Sequence, residues 1–134
     1  ARALPGSRYD SLQLVVTDDV NIADLHQRWM GIAGPTDVLS QSYRALPGEM
    51  AEALHGEIVV NLQRACTQGP RHWRGRRRRE AAACELALYI AHGCDHLMGA
   101  DDAAPDDRRR MRRRELRWVR AAGAAGLLRG LLPP

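Results

Sequence analysis

The spacing of apolar residues changes several times along the chain, and each change marks an element. Ser11–Thr17 (Ser-Leu-Gln-Leu-Val-Val-Thr) is half alternating and half continuously apolar, the pattern of a strand. Asn21 reads as the cap of a helix carrying Ile22, Leu25 and Trp29 on one face and stopping at Gly31. After Gly34-Pro35, residues 36–40 are short and β-prone, while residues 41–55 contain Pro47-Gly48 and read as a loop with room for a helical turn. Residues 57–60 predict another strand, and Asn61 caps a short helix that ends near Gly69-Pro70. Residues 70–79 read as a basic linker. An alanine-rich run from about Glu80 to Met98 predicts a long helix burying Leu86, Leu88 or Tyr89, and Ile90. Asp106 and Asp107 suit the N-terminus of a last helix, roughly 107–122, with Met111, Leu116, Trp118 and Val119 as its apolar content. Residues 123–134 predict a weakly ordered tail. Strands separated by helical segments, without internal repeats, predict an α/β or α+β fold: one small domain over 1–134 with a small mixed sheet and about four helices.

Length and composition narrow the class. The chain has 134 residues, enough for one core and too few for two. With 45% hydrophobic and 27% charged residues it has the composition of a folded domain rather than a disordered one. No apolar run is long enough to span a bilayer, and the first residues lack the basic-then-apolar pattern of a secretory leader. Cys66, Cys84 and Cys94 are odd in number and form no paired spacing, so no disulfide framework is indicated; the expectation is a cytoplasmic protein without a membrane partner.

Charge adds a clue through its type and placement. All 20 residues counted as Lys or Arg are arginine. GC-rich codon usage accounts for that preference but not for the clustering at Arg76–Arg79, Arg108–Arg110 and Arg112–Arg114. Guanidinium groups bind phosphate through a planar fork, so the clusters read either as a nucleic-acid footprint or as solvated helix faces.

Residues 92–102 (His-Gly-Cys-Asp-His-Leu-Met-Gly-Ala-Asp-Asp) carry the candidate chemistry. His92 and His96 stand four apart at the end of the long helix, which stacks both imidazoles on one face within reach of a single ion. Gly99 offers a left-handed stop, letting the chain double back and bring Asp101 or Asp102 to the same ion. Two histidines and a carboxylate leave coordination positions open, as catalytic zinc requires. The bland alternative is a chance spacing of two among five histidines. Asp95 is either a partner behind His96 or an exposed acid. Several other chemistries are excluded. A zinc peptidase needs Glu directly after the first histidine, where Gly93 stands. The Pro-Cys-x-x-Cys of zinc deaminases is absent, and Ser40 lies in no Gly-x-Ser-x-Gly turn. Cys94 reads as a packed small residue, and His26 and His72 as surface groups.

Three segments in order, Thr36-Asp37-Val38-Leu39-Ser40, Gly56-Glu57-Ile58-Val59 and His92-Gly93-x-x-His96-Leu97-x-Gly99-x-Asp101, resemble the YbeY family of bacterial metal-dependent endoribonucleases. The resemblance covers roughly residues 12–120, with Met111 and Glu115 at the places of a Met and a Glu that the family carries on its last helix. It implies a small α/β fold, a zinc-like ion in a basic cleft, and a role in ribosomal RNA maturation with RNA and the ribosome as partners. The family's third histidine aligns with Asp102, so the implied metal ligands are His92, His96 and Asp102. Leu and Tyr of the motif are replaced by Asp95 and Ala100, and the Phe that usually follows the first segment is Gln41. A family arginine thought to serve catalysis aligns with Met30, which leaves Arg28 or Arg44 to substitute as the catalytic arginine. The first clear strand begins about ten residues into the chain, where relatives have a further strand and helix ahead of it; a shortened chain and a lost edge element are both open.

The chemistry fits a phosphodiester. Hydrolysis needs an in-line nucleophile and positive charge where phosphoryl oxygens gain negative charge, and a divalent ion supplies both. Exchanging a neutral histidine for Asp102 cancels one unit of ionic charge, which predicts a less acidic bound water and tolerance of manganese or iron in place of zinc. The expectation is a metal-dependent single-strand endoribonuclease of ribosomal RNA processing. The alternative is a non-catalytic RNA- or ribosome-binding protein that keeps a structural ion.

Overall fold

The computed structural model of the protein describes residues 9–44, 53–100 and 104–132. Its elements are β1 (Ser11–Thr17), α1 (Asp19–Met30), β2 (Val38–Arg44), β3 (Leu54–Asn61), α2 (Leu62–His72), α3 (Arg78–Leu97) and α4 (Pro105–Ala124). The three strands form one mixed sheet in the order β1-β3-β2, with β1 parallel and β2 antiparallel to β3. This is the α+β architecture expected from the alternating pattern.

The central strand explains the layering. β3 is covered on both faces, which is why Ile58, Val59 and Val60 are all buried and the segment lacks polar alternation. Ile58 and Val60 pack with Ala65 of α2 and with Ala82, Ala83, Leu86 and Tyr89 of α3. Val59 faces the other way, against Ile22 of α1 and Leu39 of β2. α4 lies on the outer side of α3, where Val119 meets Cys84 and Leu88. Small residues set the helix spacing: a methyl on Gly69 of α2 would come within 2.6 Å of the Ala81 carbonyl oxygen, and one on Gly93 of α3 within 2.8 Å of Ile58 Cγ2. Both helices press on their neighbours only because these positions are glycine.

Several boundaries differ from the sequence reading. β2 continues to Arg44 because its polar Ser-Gln-Ser-Tyr stretch pairs with β3, where backbone bonding and the Gln41–Glu57 hydrogen bond replace apolar burial. The rest of the expected loop, with Pro47-Gly48, lies outside the described residues. α1 is capped by Asp18, not Asn21; Asn21 sits in the first turn and donates its backbone N–H to Asp18 Oδ1. α2 runs through Gly69-Pro70 to His72, since a proline in the last turn removes one bond without ending the helix. The expected basic linker is thereby reduced to residues 73–77. Asn61 does cap α2, accepting from the Arg64 N–H. Near the end of the described residues Leu132 is buried in the main core and Arg79 Nη2 donates to its carbonyl at 2.9 Å, while Leu127 and Arg129 are exposed. Trp118 points outward beneath the Arg114 guanidinium rather than into the core. Among the described residues no helix is long and apolar enough to cross a membrane.

Candidate functional site

α3 ends in a stop that positions everything around the histidines. Gly99 has φ +94°, its N–H donates to the His96 carbonyl, and the Ala100 N–H reaches back to the Asp95 carbonyl. This paired 5→2 and 6→1 closure needs the left-handed residue that glycine supplies, and it turns the chain back over the last helical turn. The Tyr9 hydroxyl donates to the Leu97 carbonyl at 2.8 Å, tying the entry to β1 to the same end of α3.

His92 and His96 lie on one face of that last turn with their rings perpendicular and 4.5 Å between centroids. Their Nε2 atoms stand 3.0 Å apart. His92 Nδ1 bonds at 2.9 Å to Oε2 of Glu115, a carboxylate of α4 that is only 2% exposed. With the proton assigned to Nδ1, His92 presents the Nε2 lone pair toward His96. Two nitrogens on one tetrahedral zinc would stand about 3.3 Å apart, so the pair already has the spacing of two ligands on one ion. A carboxylate behind a histidine is how metal-binding imidazoles are usually oriented. Among the described residues no three side chains of His, Cys, Asp or Glu are grouped to hold an ion. Asp102, the third ligand implied by the resemblance, lies outside them, as does Asp101.

Beside the histidines is a cavity of about 290 Å³ between α2, α3 and α4. Its charged lining consists of Arg64 and Arg112 with Asp37, Glu85 and Glu115, and His72 and His92 complete it. Three carboxylates against two guanidinium groups leave room for a cation. Glu85 is buried and accepts from Trp73 Nε1 at 3.0 Å and from His72 Nδ1 at 2.9 Å. Burial pushes the Tyr89 hydroxyl well above its ordinary value, and the neighbouring Glu85 charge, which accepts its hydrogen bond, raises it further. Tyr89 is therefore a fixed donor and not a proton acceptor at neutral pH.

The catalytic arginines proposed from sequence are not brought to this cavity. Arg28 pairs with Asp24 at 2.8 Å on the outer face of α1, and Arg44 is the exposed last residue of β2. Arg64 and Arg112 stand there instead. Arg64 follows the Asn61 cap by one turn, a signal that periodicity alone does not reveal; Arg112 lies within the second arginine cluster. Met30 is exposed at the end of α1.

Asp95 resolves in favour of a buried partner. It is 3% exposed and its Oδ1 accepts from Arg114 Nη2 at 2.7 Å, so a charge pair between α3 and α4 stands at the position of the motif's leucine. Among the described residues its Oδ2 has no hydrogen-bond partner. Burial, and then the Asp95 charge, push the Cys94 thiol up, which agrees with a packed rather than nucleophilic cysteine.

The fold and site define a small α+β domain with a carboxylate-braced histidine pair at a helix end, opening on a cavity with two arginines. The sequence profile of the family described as "Endoribonuclease YbeY" matches residues 4–123. The chain belongs to the YbeY family. It is 36% identical over 115 residues to "Endoribonuclease YbeY" of Anaeromyxobacter sp. (strain Fw109-5), an overlap of 86% of this chain and 56% of the relative. Its identity is 38% over 107 residues to the protein of the same name from Mycobacterium sp. (strain KMS), covering 75% of this chain and 57% of the relative. For the Thermobifida fusca (strain YX) protein the identity is 38% over 105 residues, covering 75% and 64%. The chain thus spans little more than half the length of the first two of these curated relatives.

Proposed function

We propose that the protein is a metal-dependent endoribonuclease that cleaves single-stranded RNA in ribosomal RNA processing, in the cytoplasm and in association with the ribosome. The observation that carries this reading is the Nε2–Nε2 approach of His92 and His96 with Glu115 bonded behind His92, beside a cavity holding Arg64 and Arg112. The family relatives, each named an endoribonuclease, support the same chemistry. His92, His96 and Asp102 would hold one divalent ion, zinc by ligand type, with manganese or iron admitted by the carboxylate.

When bound, the ion supplies Lewis acidity to a phosphoryl oxygen and lowers the pKa of water. The chain does the rest. Glu115 fixes the His92 ring by holding the Nδ1 proton, which keeps Nε2 aimed at the same point as His96. Arg64 and Arg112 bind the non-bridging phosphoryl oxygens and stabilise the charge that develops on them as the P–O bond to the leaving ribose breaks. Asp37 is the cavity carboxylate that bonds to no histidine among the described residues; it accepts a proton from the attacking water and returns it to the leaving ribose oxygen as the P–O bond breaks. Unpaired RNA suits this site, because a flexible strand can fold its backbone into a concave cavity that a duplex cannot enter.

The test is cleavage of single-stranded and duplex RNA with added zinc or manganese and with chelator. Wild type cuts the single strand alone and stops on chelation, and Arg64→Ala and Arg112→Ala each lose about 10²-fold or more in kcat/KM. Full activity in both, with loss in Arg28→Ala or Arg44→Ala, moves the phosphate contact to those residues. RNA binding without any metal-dependent cleavage selects the non-catalytic alternative.

A further inference from the structure

A larger cavity, about 560 Å³, lies at the opposite end of α3, where its first turns meet the segment that follows α4. Arg76, Arg77, Arg79 and Arg129 line it, opposed among its lining residues by Glu80 alone. Two of the arginines are held by the protein: Arg79 donates to the Leu132 carbonyl, and Arg76 lies over the Trp73 ring and 3.9 Å from Glu80. Arg77 and Arg129 are exposed and meet no carboxylate among the described residues. The buried Cys84 thiol adds no negative charge, because burial raises its pKa. α3 also begins without a side-chain cap, so its first N–H groups add to the positive potential.

The cavity is connected to the histidine end by charge. α4 runs antiparallel to α3, since Glu115 meets His92 while Val119 meets Cys84 and Leu88. Arg113, Arg117 and Arg120 are exposed along α4 at helical spacing, between the two ends. At 1.5 Å per residue, His92 lies about 12 Å along the axis from Cys84 and about 21 Å from Arg78, where α3 begins. A free phosphate cannot span that distance, whereas a strand of RNA can.

We infer that this cavity is a second anchoring site for RNA, in which Arg77 and Arg129 grip backbone phosphate while the strand runs along α4 to the histidines. The inference rests on the ribonuclease reading for what lies at the far end, but binding at the cavity is measurable without cleavage.

The experiment is a salt series of RNA binding, read by fluorescence anisotropy in chelator, for a long single-stranded RNA and a trinucleotide. Each phosphate contact contributes about 0.7 to the slope of log affinity against log salt for single strands. Arg77→Gln/Arg129→Gln lowers that slope by about 1.4 for the long RNA and leaves the trinucleotide unchanged. Arg77→Lys/Arg129→Lys restores most of the slope, and the charge-matched Arg71→Gln/Arg74→Gln, outside the cavity, leaves it at the wild-type value. An unaltered slope in the cavity variant overturns the inference, as does an equal fall in the outside pair. Pyrophosphate binding abolished by the cavity variant, with RNA binding intact, assigns the cavity to a free phosphate ligand and overturns it too. Failure of the ribonuclease reading looks different: wild type binds long RNA with the full slope yet never cuts it when metal is restored.

Discussion

Removing the Glu115 carboxylate should weaken metal binding without unfolding the protein. Glu115 touches no ion in the proposed site; it acts on His92, holding Nδ1 at 2.9 Å from a position 2% exposed, where water cannot replace it. Partners of this kind are worth about 10–100-fold in metal affinity, or about 1.4–2.7 kcal/mol. Glu115→Gln belongs at the weak end, because the amide oxygen still accepts from Nδ1–H while the charge is gone. Glu115→Leu belongs at the strong end, because the ring loses its anchor altogether. The assay is competition for zinc against a fluorescent chelator at neutral pH, with His96→Ala as the variant that loses a ligand outright. Circular dichroism establishes that each variant is folded. Wild-type affinity in both folded Glu115 variants, alongside a collapse in His96→Ala, would refute the argument that the carboxylate orients the ligand.

Three further outcomes follow from the packing. Arg114→Met leaves the Asp95 carboxylate buried and unpaired and should cost about 2–3 kcal/mol in urea unfolding, below the full buried-pair penalty because Arg114 is half-buried. Asp95→Leu/Arg114→Met should recover the loss, and a harmless single Arg114→Met would contradict this account. Gly93→Ala places a methyl 2.8 Å from Ile58 Cγ2 and should cost about 1–3 kcal/mol with a matching fall in Tm; an unchanged Tm would show that α3 can move off the sheet. Tyr89 has its folded pKa raised above the ordinary 10.0, so the stability it contributes is complete below pH 10 and is lost as pH rises beyond it. Wild type should lose up to about 1.4 kcal/mol per pH unit there, and Tyr89→Phe should lose less; parallel pH curves would rule out Tyr89 as the source.

Much of the architecture was legible because burial imposes period. α3 and α4 carry apolar positions that pack into the core, Asn61 is legible as a cap by its residue type, and β1 is legible by β-propensity although Leu12, Leu14 and Val16 stay exposed. The polar half of β2 was hidden because its residues gain backbone pairing and not burial, and the burial of Leu132 because Leu131 and Leu132 are too short a run to show a period. At the site, the four-residue spacing of His92 and His96 and the glycine stop at Gly99 were both visible in the chain. The cavity was not. Arg64, Glu85 and Arg112 come from α2, α3 and α4 and Asp37 from the loop before β2, and no local spacing relates them. Asp95 and Arg114 likewise meet across 19 positions, a pairing that only the antiparallel packing of α4 on α3 creates.

The central claim is that His92 and His96 are metal ligands, and metal content tests it most directly. Wild-type protein expressed with added metal, and His92→Ala, His96→Ala and Asp102→Ala beside it, would be analysed by elemental mass spectrometry. The account predicts one divalent ion per chain in wild type, and its loss in each of the three variants. A folded wild-type protein without metal, or full metal retained in His92→Ala and His96→Ala, would contradict it.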